Sequence, residues 1–433
     1  MEQDKIPTSK LSRASKFLKT GAKVGGNYIK YYTKKSLGAN YSKEELDDLN
    51  AEEIFSALNE LKGSALKAAQ MLSMDQGFLP NNFAAKFRDA QTNARPLSFP
   101  LVSKIFRRTL KKSPNAIFET FTKSAVHAAS IGQVHRASIG EQDFAVKVQY
   151  PGVADSVSSD LNMAKPLAAR LLKIQEDELN YFLDEIRTKL TEETDYHLEL
   201  ERSIQLSKAC SHLDNTIFPK YFPTLSSNRI LTMEWIEGKT MGAWLASNPS
   251  QEERDLIGQT IWDFYAFQIH HLRIAHADPH PGNFIITPNK KLAVIDFGCV
   301  KEIPEDFYLL YKRLMSIDVV TKKEELIGIY RDLGMLHPDD TQDEHDMFIE
   351  LYNRMIQILN QPFQSATFDF GNTSLFEELH VIVEEVMKSK QIRKANAARG
   401  SKHSIYINRI YFGLYSILGE MKAVVNTSRF IDN

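Results

Sequence analysis

The chain has 433 residues, 43% hydrophobic and 25% charged, with a formal net charge of -2 at pH 7. That length supports two or three packed units, and the near-neutral balance excludes a wholesale nucleic-acid binder, whose lysine and arginine excess shows in the total. The two cysteines, Cys210 and Cys299, are too few for a disulfide framework or a zinc ribbon, so both read as packing residues in a reducing compartment.

The opening "MEQDKIPTSK" lacks the apolar core of a secretory signal, and no run approaches the roughly 18 apolar residues of a spanning helix, so the expectation is a cytoplasmic chain without a transmembrane segment. Residues 7 to 35 carry lysines and an arginine but no acidic side chain. Leu11, Ala14, Phe17, Leu18, Ala22 and Tyr28 recur there at helical spacing. This pattern suits a basic amphipathic helix in peripheral contact with the inner face of an anionic membrane, or equally a basic arm docked on its own body.

Two helices, "SKEELDDLNAEEIFSALNELKG" and "SALKAAQMLSMD", are predicted next from their Ala, Leu, Glu and Lys content. Residues 79 to 112 read as further short helices, broken at Pro96 and Pro100. The period then changes: "AIFETFTK", "SIGQVHRASI" and "DFAVKVQY" are β-branched, aromatic and partly alternating, and predict a three-stranded meander. Helical periodicity returns from about 153 to 209. "FPTLSSNRILTMEWIEG" predicts two more strands ending at Gly238. Beyond it the chain reads as nearly all helix, interrupted by "HADPHPGNF", a short strand "LAVIDF" and a loop near 371.

The architecture these elements predict is α+β and bilobal, a protein-kinase-like fold with a small antiparallel sheet as N-lobe and a helical C-lobe. An N-terminal helical extension over the cleft occupies 1–112, the N-lobe 113–238 and the C-lobe 239–433.

"HADPHPGNF" offers three metal ligands, His276, Asp278 and His280. A zinc pair at that spacing needs a helix to bring both imidazoles to one face, and Pro279 and Pro281 prevent a regular helix there. The alternative is an extended catalytic loop in which Asp278 and Asn283 point into one space. Downstream, "VIDFGCV" places Asp296 after an apolar strand and before Phe297 and Gly298. An aspartate, an asparagine five residues on, and then D-F-G is how kinases orient the nucleophile and supply two oxygen ligands to magnesium. Asp278 takes the first role and Asn283 with Asp296 the second, as hard-oxygen donors.

A lysine on the third strand should then neutralise the α- and β-phosphates, and "FAVKVQY" supplies Lys147. Its helix partner is assigned to Glu199 in "EETDYHLELER", with Glu192, Glu193 and Glu201 as rivals. The nucleotide loop is unusual: "SAVHAASIGQV" keeps only Gly132, and alanine carries a Cβ that restricts the backbone. "EGKT" at 237 to 240 is not a Walker A end, because Met233 stands where its glycine is required.

These stretches together resemble the UbiB or AarF type of atypical kinase, also called the ADCK family, along almost the whole chain. The specific pieces are "AASIGQVHRA", "AVKVQYPGV", "EETDYHLE", "LTMEWIEG", "HADPHPGNF" and "IDFG". The resemblance implies an alanine-rich nucleotide loop from His127 through Ala128, Ala129 and Ser130, and a nucleotide lysine at Lys147 paired with Glu199. It also implies a hinge at Glu234, Trp235 and Ile236. ATP or ADP with Mg²⁺ is the implied cofactor. The family's K-x-G-Q helix is matched by Lys67 and Gln70 in "LKAAQMLSMD", and its E-x-D element by Glu193 and Asp195. Ala69 departs from the signature glycine, and His127 from the first alanine of the loop.

After D-F-G, "CVKEIPEDFYLLYKRLM" runs into a helix with no A-P-E element, and Ala277 stands where conventional kinases have an arginine. A peptide platform is therefore not expected. The resemblance implies support of isoprenoid quinone biosynthesis, ubiquinone or menaquinone, by an atypical kinase or ATPase. Its implied partners are a quinone precursor or lipid-like small molecule and quinone-biosynthesis proteins, with no nucleic acid. Rival readings are a small-molecule phosphotransferase of the kinase-like superfamily and a nucleotide-binding scaffold without turnover.

Overall fold

The computed structural model describes scattered residues between 15 and 53, and then 96 to 431 except 130, 173–175, 316–320, 372–373, 390 and 393–398. Lys67, Gln70, Ala69 and Ser130 lie outside the described residues. The chain packs as two units, Met1–Leu200 with Lys220–Trp235, and Glu201–Pro219 with Ile236–Asn433. Helical residues near the start of the chain are tied by an ion pair of 2.8 Å between Lys23 and Glu53.

The first unit is built on a five-stranded antiparallel sheet. Its strands are β1 (Thr120–Phe121), β2 (His127–Ala128), β3 (Gly132–Ile139), β4 (Gln142–Gln149) and β6 (Ile230–Glu234). They are ordered β1-β3-β4-β6, with β2 added on β3. β3 and β4 form a hairpin whose last pair is Ile139 with Gln142, and Gly140 supplies the positive φ of 56° that a two-residue connection demands. Helix α1 (Phe99–Thr109) buries Val102, Ile105 and Phe106 in the core of this unit, with Phe118, Phe144 and Val146.

Two expectations fail here for local reasons. Pro100 does not break a helix. It sits in the first turn of α1, where no N–H is needed. "AIFETFTK" is not a full strand either: Pro114–Ala116 makes a 3₁₀ turn and only Thr120 and Phe121 pair.

"FPTLSSNRILTMEWIEG" holds one strand rather than two. The Ser226 hydroxyl accepts from the Thr232 N–H at 3.0 Å and donates to the Phe222 carbonyl at 2.8 Å, so a side chain takes the bonds a second strand would have made. Between β4 and β6 run three helices, α2 (Val153–Leu172), α3 (Glu176–Glu193) and α4 (Tyr196–Ala209).

The second unit is mostly helical: α5 (Met241–Ala246), α6 (Gln251–Phe267), α7 (Glu305–Leu314), α8 (Lys323–Asp332), α9 (Gln342–Leu359), α10 (Leu375–Lys388) and α11 (Lys402–Met421). A Ser250–Glu253 capping box starts α6, satisfying N–H groups that would otherwise be orphaned. Among the helices lie short strands that no alternation could announce: β5 (Thr216–Ile217), β7 (Lys239–Thr240), β8 (Ile274–His276), β9 (Phe284–Ile286), β10 (Leu292–Val294), β11 (Val300–Glu302), β12 (Thr367–Asp369) and β13 (Val424–Asn426). They pair as β5-β10-β9-β7, β11-β8 and β12-β13. The expectation of an almost purely helical segment with one short strand is corrected accordingly. Among the described residues no helix is long and apolar enough to cross a membrane.

A π turn, Gln268–Leu272, ends α6, and Arg273 follows in the left-handed region at φ 56°. Arg273 bonds back to the carbonyls of Ile269 and His270, and its guanidinium lies 3.3 Å from the centre of the Tyr308 ring. Beside it, buried His270 has one ring nitrogen 3.0 Å from the Tyr308 hydroxyl and the other 3.2 Å from that of Tyr411.

Burial first, and then the Lys312 and Arg273 cations, push its pKa down to about 3. In the unfolded chain it returns to about 6.5. Above that pH the imidazole is neutral in both states. Below it the unfolded chain takes up a proton that the folded chain refuses. Urea unfolding should therefore show stability falling as the pH drops from about 6.5 toward 3, by at most about 1.4 kcal/mol per pH unit from this group. His270→Gln should flatten that part of the decline.

Candidate functional site

In the first unit, β4 lies between β3 and β6, with Lys147 opposite Val134 on one side and Leu231 on the other. The Lys147 Nζ donates to Oε1 of Glu199 at 2.6 Å, and the two side chains are 8% and 2% exposed. Glu199 lies in the first turn of α4, where a carboxylate also meets the positive end of the helix dipole. Of the rivals, Glu192 pairs with Lys189 at 2.9 Å, and Glu193 is buried at the end of α3. Lys147 also sits 5.2 Å from the centre of the Tyr196 ring, on the same helix as Glu199. Asp195 acts locally: its Oδ1 accepts from the His197 and Leu198 N–H groups at 3.0 and 3.4 Å and caps α4.

The alanine-rich turn leaves β2 at Ala128, opposite Gln133, and closes through the Ala129 N–H to the Gly132 carbonyl at 2.8 Å. Gly132 is where a side chain has no room: a Cβ would lie 2.7 Å from the Val148 carbonyl oxygen and 2.8 Å from Tyr196 Oη. Glu234 ends β6 with its carboxylate on the Lys220 N–H at 3.1 Å. Trp235 follows, its N–H on the Asp143 carbonyl, with the Arg136 guanidinium 4.8 Å from its ring. His127 lies nearly parallel to Trp235 at 6.3 Å between ring centres. Ile236 belongs to the second unit.

In the second unit, two antiparallel pairings gather the loop residues. β9 and β10 pair with Phe284 opposite Val294, and the ladder continues through the Ile295 N–H to the Asn283 carbonyl at 3.1 Å. Asn283 and Asp296 thus leave the same end of one hairpin. β8 and β11 pair with His276 opposite Val300, extended by the Ala277 N–H to the Cys299 carbonyl at 2.9 Å. That brings Asp278 alongside the D-F-G segment.

The expected extended loop is extended only in part, since Pro281–Asn283 makes a 3₁₀ turn, and it is locked by its own bonds. The Asp278 carbonyl accepts from the His280 N–H at 2.8 Å and from Asn283 Nδ2 at 2.9 Å, and His280 Nδ1 accepts from the Gly282 N–H at 3.0 Å. His276 is buried with its Nδ1 2.8 Å from the Tyr265 hydroxyl. Burial, and then the Asp278 carboxylate, hold that phenol protonated well beyond the usual range.

The donor set suits magnesium. Because Asn283 commits its nitrogen to the Asp278 carbonyl, its Oδ1 is turned the other way. Asp296 contributes a half-buried carboxylate whose Oδ1 is oriented by the Gly298 N–H at 2.8 Å. Both are hard oxygens of the kind Mg²⁺ takes beside phosphate and water. After Gly298 the chain enters β11 and then α7 within a few residues.

One residue escaped the sequence reading. Arg409, on α11, places Nη2 2.6 Å from Oδ1 of Asp278, and the side chains are 3% and 11% exposed. Its sequence signal was only an arginine inside an apolar helix, which calls for a buried anion. Nothing in the spacing says which anion.

A small antiparallel sheet unit carrying a buried lysine–glutamate pair, and a mostly helical unit carrying this loop and a D-F-G segment, together define an atypical kinase. The family model described as ABC1 atypical kinase-like domain matches residues 89–328, and the chain belongs to that family. It is similar to the probable serine/threonine-protein kinase abkA of Dictyostelium discoideum, 28% identical over 98% of this chain and 79% of that protein. It is 26% identical to the mitochondrial atypical kinase COQ8 of Saccharomyces cerevisiae, over 99% of this chain and 85% of that one. Among solved structures, the complex of Rv3197 with erythromycin from Mycobacterium tuberculosis has a TM-score of 0.60 at 26% identity, covering 89% of this chain and 96% of that one.

Removing one member of the buried pair takes away the other's close counter-charge. Glu199→Ala should cost about 3–5 kcal/mol in urea unfolding. Lys147→Met, which removes the cation but keeps much of the volume, should also lower the urea midpoint.

Proposed function

We propose that the chain is an ATP-dependent atypical kinase or ATPase that binds Mg-nucleotide and acts on a small quinone-precursor or lipid-like molecule, in support of isoprenoid quinone biosynthesis at a membrane. Lys147, fixed by Glu199, neutralises the α- and β-phosphates. Asp278 orients the acceptor hydroxyl or water, and Asn283 with Asp296 holds magnesium, which supplies charge neutralisation on the transferring phosphoryl group. The turn at Ala128, Ala129 and Ser130 covers the phosphates, and Glu234, Trp235 and Ile236 receive the base. Lys67 and Gln70, with Glu193 and Asp195, restrict access to a small acceptor, and the basic segment 7 to 35 makes the membrane contact.

The observation that carries this reading is the placement of Asp278, Asn283 and Asp296 by two strand pairings around one loop. The short connection from Gly298 to α7 supports a small acceptor over a peptide. Similarity to a relative named atypical kinase COQ8 supports the quinone assignment.

The test is magnesium-dependent ATP turnover, with and without phenolic quinone-precursor mimics and anionic vesicles. Turnover should rise with the mimic and fall at least about 100-fold in Asp296→Asn, the scale of losing one preorganised charge-stabilising group. Wild-type turnover in Asp296→Asn would overturn the magnesium assignment. Efficient phosphorylation of a peptide library would overturn the small-acceptor assignment.

A further inference from the structure

We propose that Arg409 is a positioning residue for phosphoryl transfer: its guanidinium fixes the direction of the Asp278 carboxylate, and the same face of α11 seats the residue that follows Asp278. The inference rests on the reading of Asp278 as the residue that orients the acceptor. The loop's own hydrogen bonds hold the Asp278 backbone carbonyl, and they do nothing to choose a rotamer for its side chain. Arg409 Nη2 donates to Oδ1 of that side chain at 2.6 Å, across a separation of 131 residues in sequence. A charge-assisted bond of this length is directional.

The neighbours of Arg409 on α11 serve the same loop. Gly413 is one turn further on, and a Cβ there would lie 2.4 Å from Pro279 Cγ and 2.8 Å from the Pro279 carbonyl oxygen. The residue after Asp278 therefore rests on bare helix backbone. Tyr406 is one turn earlier, with Lys301 Nζ 4.7 Å from its ring centre. Lys301 belongs to β11, the strand that pairs with β8 just before Asp278. Spacings of three and four place Tyr406, Arg409 and Gly413 on one helix face.

Replacing the buried ion pair by apolar side chains would satisfy packing as well. What an apolar pair could not do is aim a carboxylate. In the transfer, the phosphoryl bond to the leaving diphosphate breaks as the bond to the acceptor oxygen forms, and the acceptor proton leaves by way of Asp278 to solvent. Arg409 takes part in neither bond.

The full chain with Arg409→Gln, Gly413→Ala, Asp278→Asn and Asp278→Asn/Arg409→Gln would be compared for Mg-ATP turnover, KM for ATP and thermal midpoint. Arg409→Gln should lower kcat about 100-fold, the scale of a misplacement near 1 Å, with KM for ATP within about twofold. The double variant should be no slower than Asp278→Asn alone. Gly413→Ala keeps both charges and crowds Pro279 against α11, so it should also lower kcat at unchanged KM, and it is read in place of Arg409→Gln if that variant does not fold. A folded Arg409→Gln or Gly413→Ala protein with wild-type kcat overturns the inference. So does a double variant slower than Asp278→Asn by the full Arg409→Gln factor. If Asp278→Asn itself turns over like wild type, the reading of Asp278 fails and the inference falls with it.

Discussion

The β9–β10 ladder and its extension from Ile295 to Asn283 constrain the chemistry of the second unit more than any side chain does. Two residues separated by a full hairpin are delivered to one end of it because backbone hydrogen bonds are obligatory and fix register. The β8–β11 ladder does the same for Asp278. Pro279 and Pro281 have no N–H to donate. Pro281 opens a single 3₁₀ turn, Pro281–Asn283, where no N–H is needed, and the Asn283 side chain turns back to the Asp278 carbonyl, so the loop closes on itself. Strands of three residues contribute little stability alone. Their value here is positional, and buried neighbours such as Phe284, Leu292 and Val294 hold them in place.

Among the described residues, each unit takes an ion pair of the candidate site out of water: Lys147 with Glu199 in the first, Asp278 with Arg409 in the second. Desolvation of each ion costs several kcal/mol, which the attraction in a buried site only roughly offsets. The return on such pairs is direction. Each pins a charged group of the candidate site to a helix: α4 holds the lysine and α11 the aspartate.

Legibility in the sequence follows the range of the interactions. Alternation in "FAVKVQY" marked the strand that carries Lys147, because β4 is long and its neighbours on both sides are part of one sheet. The grouping of Asp278, Asn283 and Asp296 was legible for a different reason: fixed spacing on either side of an apolar strand leaves little freedom in where the residues return. Short strands such as β8 and β11 gave no period to read, and Ser226 quietly replaced a strand bond with a hydroxyl. Arg409 was invisible as a partner of Asp278, since a contact across 131 residues leaves no local pattern.

The alanine-rich turn shows why one glycine persists where others are absent. At Ala128 and Ala129 the backbone joins β2 and closes on Gly132 with room for a methyl group. At Gly132 a methyl would meet both the Val148 carbonyl and the Tyr196 hydroxyl. Tyr196 opens α4 and stands over Lys147, one turn before Glu199. The turn, the strand lysine and the helix glutamate are therefore a single packed assembly. Stiffness that alanine imposes on the turn reaches the ammonium through contacts already in place, so a displacement of α4 would move the alanine-rich turn and the charge of Lys147 together.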